Sequence, residues 1–320
     1  MAVASTSAYS SIAYTNSGKM SNNGWEARFD YNIYEDKDWR IAVDFNINRN
    51  VNTILELPDN LSEESYSFKN GNYAQKLLAG TPVGSFFGYR YNGVYQNTAD
   101  TYARDEEGNV MYDLQGQPVV MKNGNLTCYP GDAKYEDVNH DGTIDQNDIV
   151  YLGNCNPVVT GGAGFTIKYK QLSLTSRFHY RLGQKIINKA RMNSEAMYNK
   201  DNQSTAVLRR WRSEGDDTDI PRALYNYGYN YLGSDRFVES CSYIRLQSLS
   251  LSYRLPKEWA QAIKSSGISV FVTGYDLFTL TDYKGQDPEV TIPSKVNSLA
   301  EDNSSTPRSR RVAFGLTVNF

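Results

Sequence analysis

Long stretches of strict alternation between apolar and polar residues run through the chain, and this period of two dictates strands rather than helices. In WEARFDYNIY, Trp25, Ala27, Phe29, Tyr31 and Ile33 share one face, and Glu26, Arg28, Asp30 and Asn32 the other. WRIAVDFNIN repeats the pattern with Trp39, Ile41, Val43, Phe45 and Ile47 against Arg40, Asp44, Asn46 and Asn48. After a turn at Lys170 and Gln171, LSLTSRFHYRL sets Leu172, Leu174, Phe178, Tyr180 and Leu182 against Thr175, Arg177, His179 and Arg181. RRVAFGLTVNF sets Val312, Phe314, Leu316, Val318 and Phe320 against Arg311, Thr317 and Asn319. Two segments are less regular: SYIRLQSLSLSYRLP alternates cleanly only from Leu249 to Leu255, and SVFVTGYDLF loses its pattern after Gly274. About seven long strands are expected, with an eighth near Ala8 to Tyr14.

Alternation alone does not say which face is inside. A soluble sandwich buries the apolar face, whereas a membrane barrel turns it to lipid with the same period. Strand length favours the barrel, because about ten residues suit a tilted membrane strand and exceed the usual five or six. Connection lengths alternate as well: about three residues near Asp36 then roughly 110 from Val51, about two at Lys170 then roughly 50 from Gly183, a modest link after Pro256 then nearly 30 from Asp282. Short turns on one side and long loops on the other are the habit of outer-membrane barrels. The closing strand ends on Phe320, which resembles the assembly signal of such barrels.

Composition agrees without deciding. Net charge is -3, so nothing points to nucleic acid. There is no run of 18 apolar residues and hence no transmembrane helix, a criterion that leaves membrane strands open. Tyr, at 25 residues against 12 Phe, suits rings placed between apolar and wet surroundings. Cys128, Cys155 and Cys241 show no CxxC spacing and read as isolated thiols, with a Cys128 to Cys155 bridge as the alternative. The start, MAVASTSAYS, has no signal-peptide character, so the chain is either cytoplasmic or a piece of something longer.

Within the longest connection, DVNHDGTIDQND follows the twelve-residue calcium-loop pattern. It offers Asp137, Asn139, Asp141, the Thr143 carbonyl, Asp145 and Asp148 as oxygen ligands, with Gly142 at the turn and Ile144 packing inward. Asp148 stands where the helix-loop-helix form has Glu, which shortens the reach, and His140 falls between ligand positions facing solvent. A structural Ca2+ is expected here; the alternative is an Asp/Asn-rich turn. No Walker loop, HExxH or GxSxG occurs, so no nucleotide or organic cofactor and no catalysis is expected.

Five motifs in order carry a family resemblance: PGDAKYEDVNHDGTIDQNDIVYLGNCNPVVTGGAGFTIKYKQLSLTSRF, RRWRSEGDDTDIPRA, SDRFVESCSYIRLQSLSLSYRLP, GYDLFTLTDYKGQDPEV and RRVAFGLTVNF. Together with GKMSNNGWEARFDYNI and TPVGSFFGYRYNGVYQ they closely resemble the C-terminal barrel portion of SusC/RagA-type TonB-dependent transporters over nearly the whole chain. Two places depart: Cys241 stands where Gly is usual, and Tyr275 and Asp276 stand where an amide pair is common.

The resemblance implies an all-β fold, part of a large antiparallel transmembrane barrel of about 22 strands. Residues 1–320 would be one barrel segment with long extracellular loops at 51–161, 184–235 and 282–309, lacking the plug domain and signal peptide. It implies the outer membrane of a Gram-negative, Bacteroidota-type cell, with outer-membrane lipid around the barrel. Implied partners are a SusD-like surface lipoprotein, the TonB complex through the missing N-terminal part, and an oligosaccharide or peptide substrate. The face bearing Arg28, Asp30, Arg40, Asp44, Arg177 and Arg181 would line the lumen mainly as a solvated wall. Tyr225, Tyr227, Tyr229 and Tyr231 in YNYGYNY are candidates for substrate or lid contact. A soluble, calcium-stiffened β adhesion or carbohydrate-binding module is the main alternative, and a passive porin a weaker one.

Overall fold

The computed structural model describes residues 18–57, 67–289 and 299–320. The strand expected near Ala8 to Tyr14 lies outside them. Seven strands form one antiparallel sheet: β1 (Lys19–Glu35), β2 (Trp39–Glu56), β3 (Val159–Tyr169), β4 (Leu172–Leu182), β5 (Tyr243–Arg254), β6 (Gly267–Thr281) and β7 (Arg311–Asn319). Each pairs with its neighbours in chain order, a meander whose two edges are β1 and β7. The first hairpin is longer than its alternation suggests, with strands of 17 and 18 residues.

Register aligns the apolar residues into continuous rows. One row runs Phe29, Phe45, Ala163, Phe178, Leu246 and Phe278, and another, two rows on, Ile41, Ile167, Leu174, Leu251, Val272 and Phe314. This face carries the exposed large hydrophobic residues of the sheet, including Phe29 at 64% and Phe314 at 83%. Among the described residues no second sheet covers it. A sandwich would bury those side chains; a lipid-facing wall leaves them out.

Both irregular segments are β-bulges. Arg177 and Phe178 face Ser248 and Leu246, and the same two residues of β5 face Tyr275 and Phe278 of β6, so Gln247 is inserted in one ladder and Asp276 with Leu277 in the other. The insertion reverses the phase of β5, bringing Leu246 and Leu249 to the same face although they are three apart. Asp276 sits at φ +52°, a left-handed conformation that Asn and Asp tolerate best among side-chain-bearing residues. A third bulge in β1 sets Tyr34, rather than Ile33, opposite Ile41.

The hydrophobic core lies in the connections, not under the sheet. One cluster includes Phe86, Ile187, Met192, Tyr231, Phe237 and Tyr283, from all three long connections. A second includes Tyr89, Tyr95, Cys128, Tyr135, Ile144 and Leu232. Backbone bonds stitch the first two connections together: Gly71 donates to Tyr231, Tyr89 to Gly233, and Gly233 to Asn72. A Cβ on Gly233 would lie 2.1 Å from the Asn72 carbonyl oxygen, so only glycine permits this approach. The third connection joins through Ile187, which donates to Ala300 and accepts from Asp302.

Candidate functional site

Two surfaces hold the chemistry: the polar face of the sheet and the body built by the long connections at one end of it. On the polar face, register places Asp30, Asp44, Gly164 and Arg177 in one row and Arg28, Asn46, Gly162, His179 and Arg245 in the next. Arg177 donates to Asp44 at 3.1 Å across the strand between them. A Cβ on Gly164 would come within 2.6 Å of Asp44 Oδ1, so the missing side chain is what lets this ion pair lie flat on β3. Asn46 accepts from the Gly162 amide at 3.1 Å, and a shallow polar recess lined by Asp44, Asn46, Gly162, Arg177, His179 and Gln247 results. Arg28 pairs with Asp30, and Arg40 lies 3.9 Å from Glu35. Arg181 stands opposite Thr160 on the same face. The charged residues expected on a lumen wall therefore share one face, and they are mostly exposed, as solvated wall residues are.

Where this face meets the connections, Arg245 forms a clamp that sequence reading missed. Its guanidinium, only 4% exposed, donates to Asp287 at 2.5 Å, to Glu289 at 2.8 Å and to Thr279 at 2.9 Å. Arg308 adds a bond to Glu289 at 3.0 Å, and its amide donates to Asp287. Burial would push the Asp287 carboxyl up, yet the amides of Glu289 and Arg308 and the Arg245 guanidinium hold it below the usual range. Asp287 and Glu289 are thus the acidic half of a buried tie between the third connection and β5. A second tie lies within the body, where Glu195 accepts from Arg191 and Arg236, and Arg191 also reaches Glu239. Arg236 further sits over the rings of Tyr91, Phe237 and Tyr231.

The acidic segment 137–148 is folded around its own amides. Asp137 accepts from Gly142 and Asp141, Asp141 from Thr143, and Asp145 from Asn147. Asp148 is fully buried and accepts from Val138 and Asp145 at 2.8 Å each; burial raises its carboxyl above the ordinary value. Asn139 bonds Asp141, and Ile144 packs into the second cluster. His140 Nδ1 contacts the Arg104 carbonyl. Among the described residues no three His, Cys, Asp or Glu side chains converge as a metal site.

The four tyrosines do not act as one surface. Tyr225 and Tyr227 are exposed at 54% and 56%, whereas Tyr229 packs edge-on against Phe68 and Tyr231 is 2% exposed in the first cluster. Tyr225 and Tyr227 are therefore open at the surface and Tyr231 is not, although all four are spaced by two residues. Cys128, Cys155 and Cys241 are buried free thiols, so no Cys128 to Cys155 bridge forms. Burial pushes Cys128 and Cys241 up to about 12. Phe320 follows the last residue of β7 and is 89% exposed.

No family model matches the chain. Among curated proteins it is 27% identical over 314 residues to TonB-dependent receptor P3 of Formosa agariphila, covering 95% of this chain and 29% of that protein. TonB-dependent receptor P26 of the same organism is 27% identical over 316 residues. TonB-dependent receptor SusC of Bacteroides thetaiotaomicron is 25% identical over 319 residues, which cover 95% of this chain and 27% of SusC. Among solved structures, that of the RagAB peptide transporter superposes with a TM-score of 0.70 at 24% identity, over 98% of this chain and 31% of the other. The chain therefore spans less than a third of the length of these relatives. With an apolar face bare of protein, a polar face opposite, and alignments that cover 95% of its length, the chain is similar to the C-terminal part of SusC/RagA-type TonB-dependent receptors and has the fold of part of a transmembrane β-barrel.

Proposed function

We propose that the chain forms wall and outer loops of an outer-membrane importer that takes up oligosaccharides or peptides, powered through TonB and working with a SusD-like surface lipoprotein. The observation that supports it best is topological. All three long connections leave the same end of an antiparallel sheet and share one apolar-cored body, while the opposite end carries only short links. A rigid body of that kind can present polar and aromatic groups to a large solute and to a protein lid, and Tyr225 and Tyr227 are the rings it leaves exposed. The polar wall below supplies fixed charges along a wet path. The names of the relatives, receptors and transporters rather than enzymes, favour uptake over catalysis.

Calcium is part of this reading as a structural ligand of residues 137–148. The carboxylates of Asp137, Asp141 and Asp145 accept from amides and keep unused lone pairs, which suit a hard cation.

The test is uptake and partnership in the cell. Deleting the gene that encodes this chain is expected to abolish growth on one class of oligosaccharide or peptide, and an affinity-tagged protein extracted in detergent is expected to bring down a surface lipoprotein. Recovery of the protein in the soluble fraction without detergent, or growth unchanged on every such nutrient, would overturn the proposal.

A further inference from the structure

The short-turn end of the sheet carries one feature that a bare barrel rim does not need. One α-helix, α1 (Lys189–Glu195), lies in the second long connection; between β5 and β6 the chain makes another short one, α2 (Lys257–Ala262), where the other two links at this end are tight turns. Pro256 precedes it, suiting a first helical turn that has no use for an N–H. It is closed by Lys264 in the left-handed region and by the amide and hydroxyl of Ser265, both donating to the Ala260 carbonyl. The helix is fixed in place: Ala260 is buried, α2 packs on the start of β6, and Ser266 donates to Asn319 of β7.

The two large apolar side chains at α2 are both exposed, beside Glu258 and Gln261. Trp259 in the helix and Ile263, the residue that follows its end, are exposed at 62% and 51%. Lys257 and Lys264 flank them and make no ion pair among the described residues, with Glu258 between them, while in the neighbouring turns Lys170 lies 3.8 Å from Asp38. The apolar face of the sheet ends at the same level in a row of Trp39, Tyr169, Leu172, Tyr253 and Val270, with the Trp39 and Tyr169 rings 4.4 Å apart. Rings at the end of a lipid-facing band mark the headgroup level.

We propose that α2 is a membrane-surface anchor: Trp259 and Ile263 enter the headgroup region of the leaflet on the short-turn side, and Lys257 and Lys264 meet anionic phospholipid headgroups. Continuity with the aromatic row selects lipid as the occupant, and the unpaired lysines match its charge. The proposal rests on the apolar face of the sheet meeting lipid. It adds a rotational and depth constraint on β5 and β6 that the strands alone do not supply.

Nitroxide labels on cysteines at positions 259, 263 and 261, one at a time, test this in the detergent-purified protein placed in phosphatidylethanolamine and phosphatidylglycerol vesicles. The native thiols are buried, and a label at position 29 serves as the lipid reference. The ratio of oxygen to nickel-chelate collisions is expected to be several-fold higher at 259 and 263 than at 261, and Lys257→Glu with Lys264→Glu is expected to lower it at 259. A label at 259 as open to the nickel chelate as one at 261, while position 29 reports lipid, would overturn the anchor alone. A label at 259 immobilised and shielded from both probes would assign the face to a protein contact and overturn it too. A ratio at 259 unmoved by the paired Glu substitutions would overturn the headgroup contact. Position 29 reporting water would instead remove the barrel reading beneath it.

Discussion

Placing a charge at Phe29 measures directly which way the sheet faces. Phe29 pairs with Phe45, six residues beyond Trp39 in the aromatic row. Six steps of about 3.3 Å give roughly 20 Å along the strand, and a tilt of about 40° reduces this to roughly 15 Å along the membrane normal. That depth lies near the middle of an apolar band about 25 Å tall, where Arg costs about 2–4 kcal/mol. Because Phe29 is 64% exposed within the chain, its replacement removes little protein packing, and the penalty reads lipid contact. Phe29→Arg is therefore expected to lower the folded-to-unfolded ratio by about 30- to 1000-fold in phospholipid vesicles, followed by urea titration. Asn32→Arg, on the polar face opposite Ala42, is the control and is expected to be close to neutral. Equal penalties for the two, or none for Phe29→Arg, would refute the assignment of faces.

Arg245→Ala leaves Asp287 without its cation and Glu289 with Arg308 alone, and loss of one partner of such a tie costs about 3–5 kcal/mol. Amide hydrogen exchange across residues 283–289 and 301–309 is expected to speed up accordingly. The Asp287 carboxyl lies below its ordinary value, so its contribution is complete at neutral pH and is lost as the pH falls through and below the usual carboxylate range; exchange in the same segment measured against pH checks the sign. Cys128 and Cys241, pushed up to about 12 by burial, are expected to resist maleimide at pH 8 in the folded protein and react once it is denatured. Calcium is expected to raise the melting temperature of the native protein, and Asp141→Ala to abolish the rise; no shift with the native protein would remove the metal from the acidic segment.

The strands were legible because their information is local. Every second residue reports the same face, so Trp39 to Ile47 or Leu172 to Leu182 declare themselves without knowledge of their neighbours. The faces of Ile33, Leu246 and Leu249 were not legible, because a bulge is a property of a pair of strands and shows in one sequence only as noise. The body made by the connections was hidden for a related reason. Its core joins Phe86, Met192 and Phe237 over long separations with no period to find. The tyrosines of YNYGYNY illustrate this: their spacing suggests one aromatic face, yet packing against Phe68 and Phe237 draws Tyr229 and Tyr231 inward. Arg245 carried a weak signal, a cation near the start of β5 with only Arg254 at the far end to match it, and the acids that answer it lie about forty residues on.

Among the described residues the meander has two free margins, and these have a consequence in counting. Strand direction alternates, so β1 and β7, the first and last of seven, point the same way. Laid margin to margin, these strands from two copies would meet in parallel, which an all-antiparallel ring forbids. Whatever segment completes the circle must therefore contribute an odd number of crossings, and parity alone makes the finished cylinder even.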